Sequence, residues 1–191
     1  MEANVGPGDR LPSISLGRAG GSGGGINLRH GGREATVIVK LPARDAARFV
    51  PYLERLAGAG AEFRDWSGRL LAVLEGGLGS ESEPGARAED IAPAGVEVDG
   101  RTAPSDPVTA RLGSLPFPVL GDTAGATRGW APVGEAAVVV ADRFGVVYDQ
   151  AHSRDANDLP DAAALIEWLR FLATQCPECG VPDEPGFGEY T

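Results

Sequence analysis

The densest apolar stretches of the chain are short and rich in β-branched residues. Ala35-Thr-Val-Ile-Val-Lys-Leu41 is apolar at nearly every position, the pattern of a strand covered on both faces, and Pro42 ends it. From Ala43 to Gly58 the apolar residues Ala46, Phe49, Val50, Leu53, Leu56 and Ala57 recur three and four apart. That spacing predicts an amphipathic helix, which Pro51 either kinks or delays. Leu70-Leu-Ala-Val-Leu74 is a second buried run, and strand, helix, strand in this order is the βαβ unit of a parallel sheet.

Around this unit the pattern is weaker. Pro12 to Leu16 and Gly25 to His30 read as the arms of an amino-terminal hairpin joined by the Gly-Ser-rich turn from Gly17 to Gly25. The turn lacks both the G-x-G-x-x-G spacing and the terminal Lys-Ser/Thr of a phosphate cradle. Gly76 to Pro107 carries no period and is predicted as loop. Ala136 to Asp142 and Val146 to Tyr148, joined through Asp142-Arg-Phe-Gly145, predict an antiparallel hairpin, followed by a polar loop from His152 to Asp158. Pro160 falls where a first helical turn tolerates it, and Ala164, Ile166, Leu169, Phe171, Leu172 and Ala173 then build a carboxy-terminal helix that ends at Cys176. Asp122 and Asp142 are expected to cap turns, and Trp66, Trp130 and Trp168 to pack in the core.

Composition narrows the class. The 191 residues suit one domain with a full core, taken as 5-180, followed by an acidic tail over 181-191. A net charge of -10 argues against a nucleic-acid surface, which needs clustered Lys and Arg. No basic-then-apolar leader opens the sequence and no run approaches the roughly 20 apolar residues of a membrane span. The expectation is a cytoplasmic protein with no membrane partner. A structural disulfide is disfavoured in a reducing cytoplasm, so Cys176 and Cys179, the two cysteines, point to redox cycling or metal binding.

Four runs carry a resemblance. They are Val5-Gly-Pro-Gly-Asp-Arg-Leu-Pro12 with Ile14-Ser-Leu16, then Thr36 to Pro42, then Phe117-Pro-Val-Leu-Gly-Asp122, then Val138-Val-Val-Ala-Asp-Arg-Phe-Gly-Val-Val147. In this order, over roughly residues 5 to 175, the chain resembles the alkyl hydroperoxide reductase and thiol-specific antioxidant family, a peroxiredoxin-like branch of the redoxins. The resemblance implies an α/β thioredoxin-like three-layer sandwich with an amino-terminal β-hairpin and a carboxy-terminal helix ending in Cys-Pro-Glu-Cys. It also implies a peroxidatic thiolate at the start of the helix after Pro42. The matching positions hold Ala46 and Phe49, which cannot ionise, and Ala136 stands near the family's strand arginine. Arg44 and Arg48 lie close by and read as a solvated helix face.

Thiol chemistry therefore rests on Cys176 and Cys179 as catalytic candidates. The carboxy end of a helix and Glu178 both disfavour a thiolate, so a thiol pKa at or above about 8.5 is expected without metal or a basic neighbour. Pro177 brings the sulfurs close enough to bridge, but a ring this small stabilises by only about 2 kcal/mol. Four readings stay open: a redox pair served by a dithiol electron donor, a zinc site shared by Cys176 and Cys179 of two chains in a homodimer, zinc completed by His152 and His30, or an inert turn. Asp155, Asp158 and Asp161 form a thinner metal candidate beside a helix start. The rival class to an oxidoreductase is a non-catalytic binding or assembly module that engages a protein partner.

Overall fold

A computed structural model describes residues 4–19, 24–29, 32–42, 44–76 and 107–175. In chain order the strands are β1 (Ser15–Arg18), β2 (Ile26–Asn27), β3 (Ala35–Leu41), β4 (Gly68–Glu75), β5 (Val119–Asp122), β6 (Ala136–Ala141) and β7 (Val147–Ser153). The α-helices are α1 (Ala46–Gly58), α2 (Gly60–Asp65), α3 (Pro107–Gly113) and α4 (Ala162–Thr174), with a 3-10 turn at Arg128–Trp130. One mixed sheet takes the order β2-β1-β5-β4-β3-β6-β7.

The predicted βαβ unit is present: β3 and β4 pair in parallel from Ala35↔Gly68 to Leu41↔Leu74, with α1 between them. β4 and β5 are also parallel, from Ala72↔Val119 to Glu75↔Asp122. β3, β4 and β5 step the same way across the sheet, and α1 and α3 lie on the same face, as crossovers of one hand require. Leu53 and Leu56 of α1, Phe63 of α2, Leu112 of α3 and Leu165 and Leu169 of α4 accordingly share one core with Val37, Val39 and Leu41. The other face of β3 packs a second core, where Ile38 meets Leu71, Leu120 and Val139 under Val5, Leu11, Leu28 and Trp130. Among the described residues the expected sandwich thus has α-helices on one face only. The third layer is the amino-terminal segment and the 3-10 turn.

Several elements differ from the sequence expectation. α1 begins at Ala46 rather than Ala43 and continues through Pro51. The segment Val119–Asp122 is a strand in its own right; four residues flanked by Pro118 and containing Gly121 carry too little pattern to be read as one. β7 extends through Ser153, so His152 is a strand residue and not part of a loop. Its side chains are mostly half-buried, which hides the alternation of a strand. Pro160 precedes α4: Asp161 is its N-cap and accepts from Ala164 N at 2.8 Å.

Candidate functional site

The three parallel strands end at one edge of the sheet, where open α/β folds place ligands. α1 starts there. Its inward side chains Ala46 and Phe49 are 7% and 0% exposed, while Arg44, Asp45 and Arg48 point to solvent. The helix amino terminus, which would favour a thiolate, meets no ionisable inward group in this first turn and a half. Tyr52 follows in the same core and donates its hydroxyl to Pro160 O at 2.8 Å. Burial pushes its phenol above the usual range, Arg55 opposing and Asp161 adding to the shift.

The other face of the same edge is polar. Lys40, the single lysine, is 1% exposed with Nζ 3.0 Å from Glu75 Oε2, and Arg128 Nε approaches Glu75 Oε1 at 3.4 Å. Asp122, fully buried, accepts from Ala126 N, Thr127 N and Thr127 Oγ1 at 2.9, 2.7 and 2.7 Å. The register sets Lys40, Ala137 and His152 in a row across β3, β6 and β7. His152 Nδ1 lies 2.6 Å from Glu135 Oε2, and Arg154 Nε reaches Glu135 Oε1 at 3.5 Å. His152 opens on a groove of about 610 Å³ shared with Trp130, Val133 and Gln150.

Asp122 and Asp142 cap turns as expected, Asp142 Oδ1 accepting from Phe144 N and Val146 N. Trp130 is buried, and Trp66 and Trp168 pack partly buried against the first core. Asp155 accepts from Asn157 N, Asp158 from Ser153 Oγ and Asp161 caps α4, so each member of the suspected acidic cluster serves a local turn. Among the described residues no group of three His, Cys, Asp or Glu side chains is arranged to hold a metal, and no helix is long and apolar enough to cross a membrane.

Cys176, Cys179 and His30 lie outside the described residues. The chain can be followed to Gln175, the C-cap of α4. Gln175 lines a pocket of about 190 Å³ with Arg33, Trp66, Arg143, Phe144 and Tyr148. Ala35, the first residue of β3, lines it too, so this pocket sits at the edge opposite the start of α1, about 20 Å away by strand rise. Burial, then Asp142, raises the Tyr148 phenol there.

No protein-family model and no curated protein matches the sequence. Solved structures do match in shape. Peroxiredoxin Q of Xanthomonas campestris aligns over 84% of this chain and 92% of its own, with a TM-score of 0.57 and 16% identity. The thioredoxin domain of a thiol-disulfide oxidoreductase from Bacteroides vulgatus aligns over 88% and 99%, with a TM-score of 0.57 and 10% identity. The mitochondrial 2-Cys peroxiredoxin of Plasmodium falciparum aligns over 85% and 91%, with a TM-score of 0.55 and 9% identity. The fold is thioredoxin-like, in a form similar to that of the peroxiredoxins.

The buried Lys40 to Glu75 pair, the Glu135 to His152 pair and the arginines flanking Phe144 were not singled out from sequence. Lys40 had a visible signal, a lysine inside an otherwise buried run. The other two groups assemble only through strand register and turn packing.

Proposed function

We propose that this chain is a redoxin whose thiol-disulfide exchange runs through Cys176 and Cys179 instead of the start of α1. The observation that supports it is the contrast between the two poles. Ala46 and Phe49 fill the helix start, whereas Gln175, bonded to Cys176, shares a pocket with Arg33 and Arg143. Guanidinium groups near Gln175, set against the Asp142 carboxylate in the same pocket, would favour a thiolate at the next residue and offset the unfavourable end of α4.

In the reaction a thiolate of the pair attacks one sulfur of a substrate disulfide and expels the other as a thiolate, which takes up a proton. The second cysteine, losing its proton, attacks the mixed disulfide and releases the reduced substrate. The chain is left oxidised, and an external dithiol reduces it again. A reducing compartment such as the cytoplasm suits this direction of flow. Reduction of a peptide disulfide by the full chain with a dithiol donor tests the proposal. Turnover lost in Cys176→Ser and in Cys179→Ser is expected; a rate that neither substitution changes overturns it.

The apolar helix start also favours a second reading, a non-catalytic binding or assembly module that has kept the fold. Here Cys176 and Cys179 of two chains clamp one zinc in a homodimer. Metal analysis combined with sizing separates the two: a metal-free monomer excludes the bridged dimer.

A further inference from the structure

The amino-terminal edge of β3 and β4 carries a concentration of cations at odds with a chain of net charge -10. A groove of about 700 Å³ opens there between the amino-terminal hairpin and the turn joining β6 and β7. Arg29, Arg69, Arg143, Asn27, Ser13 and Phe144 line it, and among the described residues no carboxylate does. The three guanidiniums come from three separate segments: the residues after β2, the second position of β4 and the turn after Asp142. None of the three makes an ion pair among the described residues.

Arg69 is half-buried, and its Nε is buried without a hydrogen-bond partner among the described residues. Among the described residues its Nη2 has only Thr36 Oγ1, at 3.5 Å. Burial lowers its pKa, against the pull of the Glu34 charge. An unanswered guanidinium donor is unfavourable, and the part of Arg69 that lines the groove is available to an anion there. Asn27 Nδ2 donates to Ser13 Oγ at 3.0 Å, which leaves the Ser13 hydroxyl proton free for the groove. Arg143 lies over the Phe144 ring, 4.8 Å from its centroid, and Phe144 is 54% exposed. The guanidinium thus covers part of one ring face, and the rest of the exposed ring borders the same groove.

We propose that this groove binds a phosphate monoester borne on a planar organic body, with Arg29, Arg69 and Arg143 on the phosphate and Phe144 against the ring. Three guanidiniums lining one groove exceed what a carboxylate engages and suit a tetrahedral dianion. The groove is within the volume range of small-molecule sites, about 300 to 1,000 Å³. The site rests on described residues alone, although Arg143 and Phe144 also border the pocket at Gln175.

Calorimetric titration of the full chain with phenyl phosphate, inorganic phosphate and phenol tests the proposal. Saturable one-to-one binding of phenyl phosphate is expected, tighter than inorganic phosphate, weakened by salt, and with no binding of phenol. Arg29→Gln and Arg143→Gln should each weaken it about tenfold or more. Both are checked for an unchanged unfolding midpoint, because Arg69 variants risk the fold. Arg48→Gln, on the exposed face of α1, should change nothing. Phe144→Ala should bring phenyl phosphate down to the affinity of inorganic phosphate, and a Cys176→Ser/Cys179→Ser chain should bind as before. Absence of saturable binding, or binding that survives Arg29→Gln/Arg143→Gln, overturns the site. Equal affinity for phenyl and inorganic phosphate in the unaltered chain overturns the aromatic half of it.

Discussion

Lys40 occupies a strand otherwise built of apolar residues and Thr36, and its ammonium depends on Glu75 for compensation. Removing one partner of such a pair leaves a charge out of water, whereas replacing both by apolar groups removes the desolvation cost as well. Glu75→Gln is expected to destabilise the protein by about 3 kcal/mol in urea unfolding, and Lys40→Met with Glu75→Leu to recover most of that loss. Tyr52 makes a separate prediction with pH. Its folded pKa is raised above the unfolded value of about 10, so its contribution is complete below that pH and is lost as pH rises further. Tyr52→Phe should cost about 1 kcal/mol at pH 7 through the lost bond to Pro160 O. The variant's unfolding midpoint should then fall less than the parent's between pH 9 and about 11. A parallel decline in the two proteins would count against the burial argument.

At the scale of elements, β4 and α4 meet over Gly68. A Cβ built there would overlap Leu169 Cδ1 and lie 3.0 Å from Phe63 O. Leu169 is itself fully buried and the Phe63 carbonyl belongs to the backbone, so neither has room to yield. Gly68→Ala should therefore destabilise by about 1 to 3 kcal/mol, measured by thermal or urea unfolding. This approach is invisible in sequence, because Gly68 and Leu169 are joined only by the fold. The elements that were legible, β3, α1, β4, β6 and α4, are those buried along a whole face or both faces. β5 and the far half of β7 were missed for the opposite reason: short length, prolines and mixed exposure leave no period to read. The same contrast applies to the functional residues. Ala46 and Phe49 are legible as an apolar helix start, but a groove formed by Arg29, Arg69 and Arg143 needs three turns to be brought together.

Over the whole molecule, the two faces of the sheet are assembled from different parts of the chain. The helical face begins with residues close in sequence, through α1 and α2 between β3 and β4, and is completed by α3 and α4. The opposite face is closed by residues 5 to 11: Gly8 N donates to Val147 O at 2.8 Å, Val147 N to Asp9 O at 2.8 Å and Leu11 N to Gly145 O at 2.7 Å. Leu11 and Val5 are 1% and 6% exposed as a result. Deleting residues 1–11 should leave a chain that unfolds at lower urea concentration and binds a hydrophobic dye, with the helical core less affected; an unchanged midpoint would contradict this. The long span from Asp9 to Val147 also orders events during synthesis. Such non-local pairings are slow to form, since the intervening chain must be closed into a loop first. On the ribosome the β3, α1, β4 unit can dock while translation continues, but the first apolar residues made must wait uncovered until Val147 has emerged. For most of its synthesis, then, the nascent chain leaves open the face that residues 5 to 11 later close, and that open face is where a chaperone would find it.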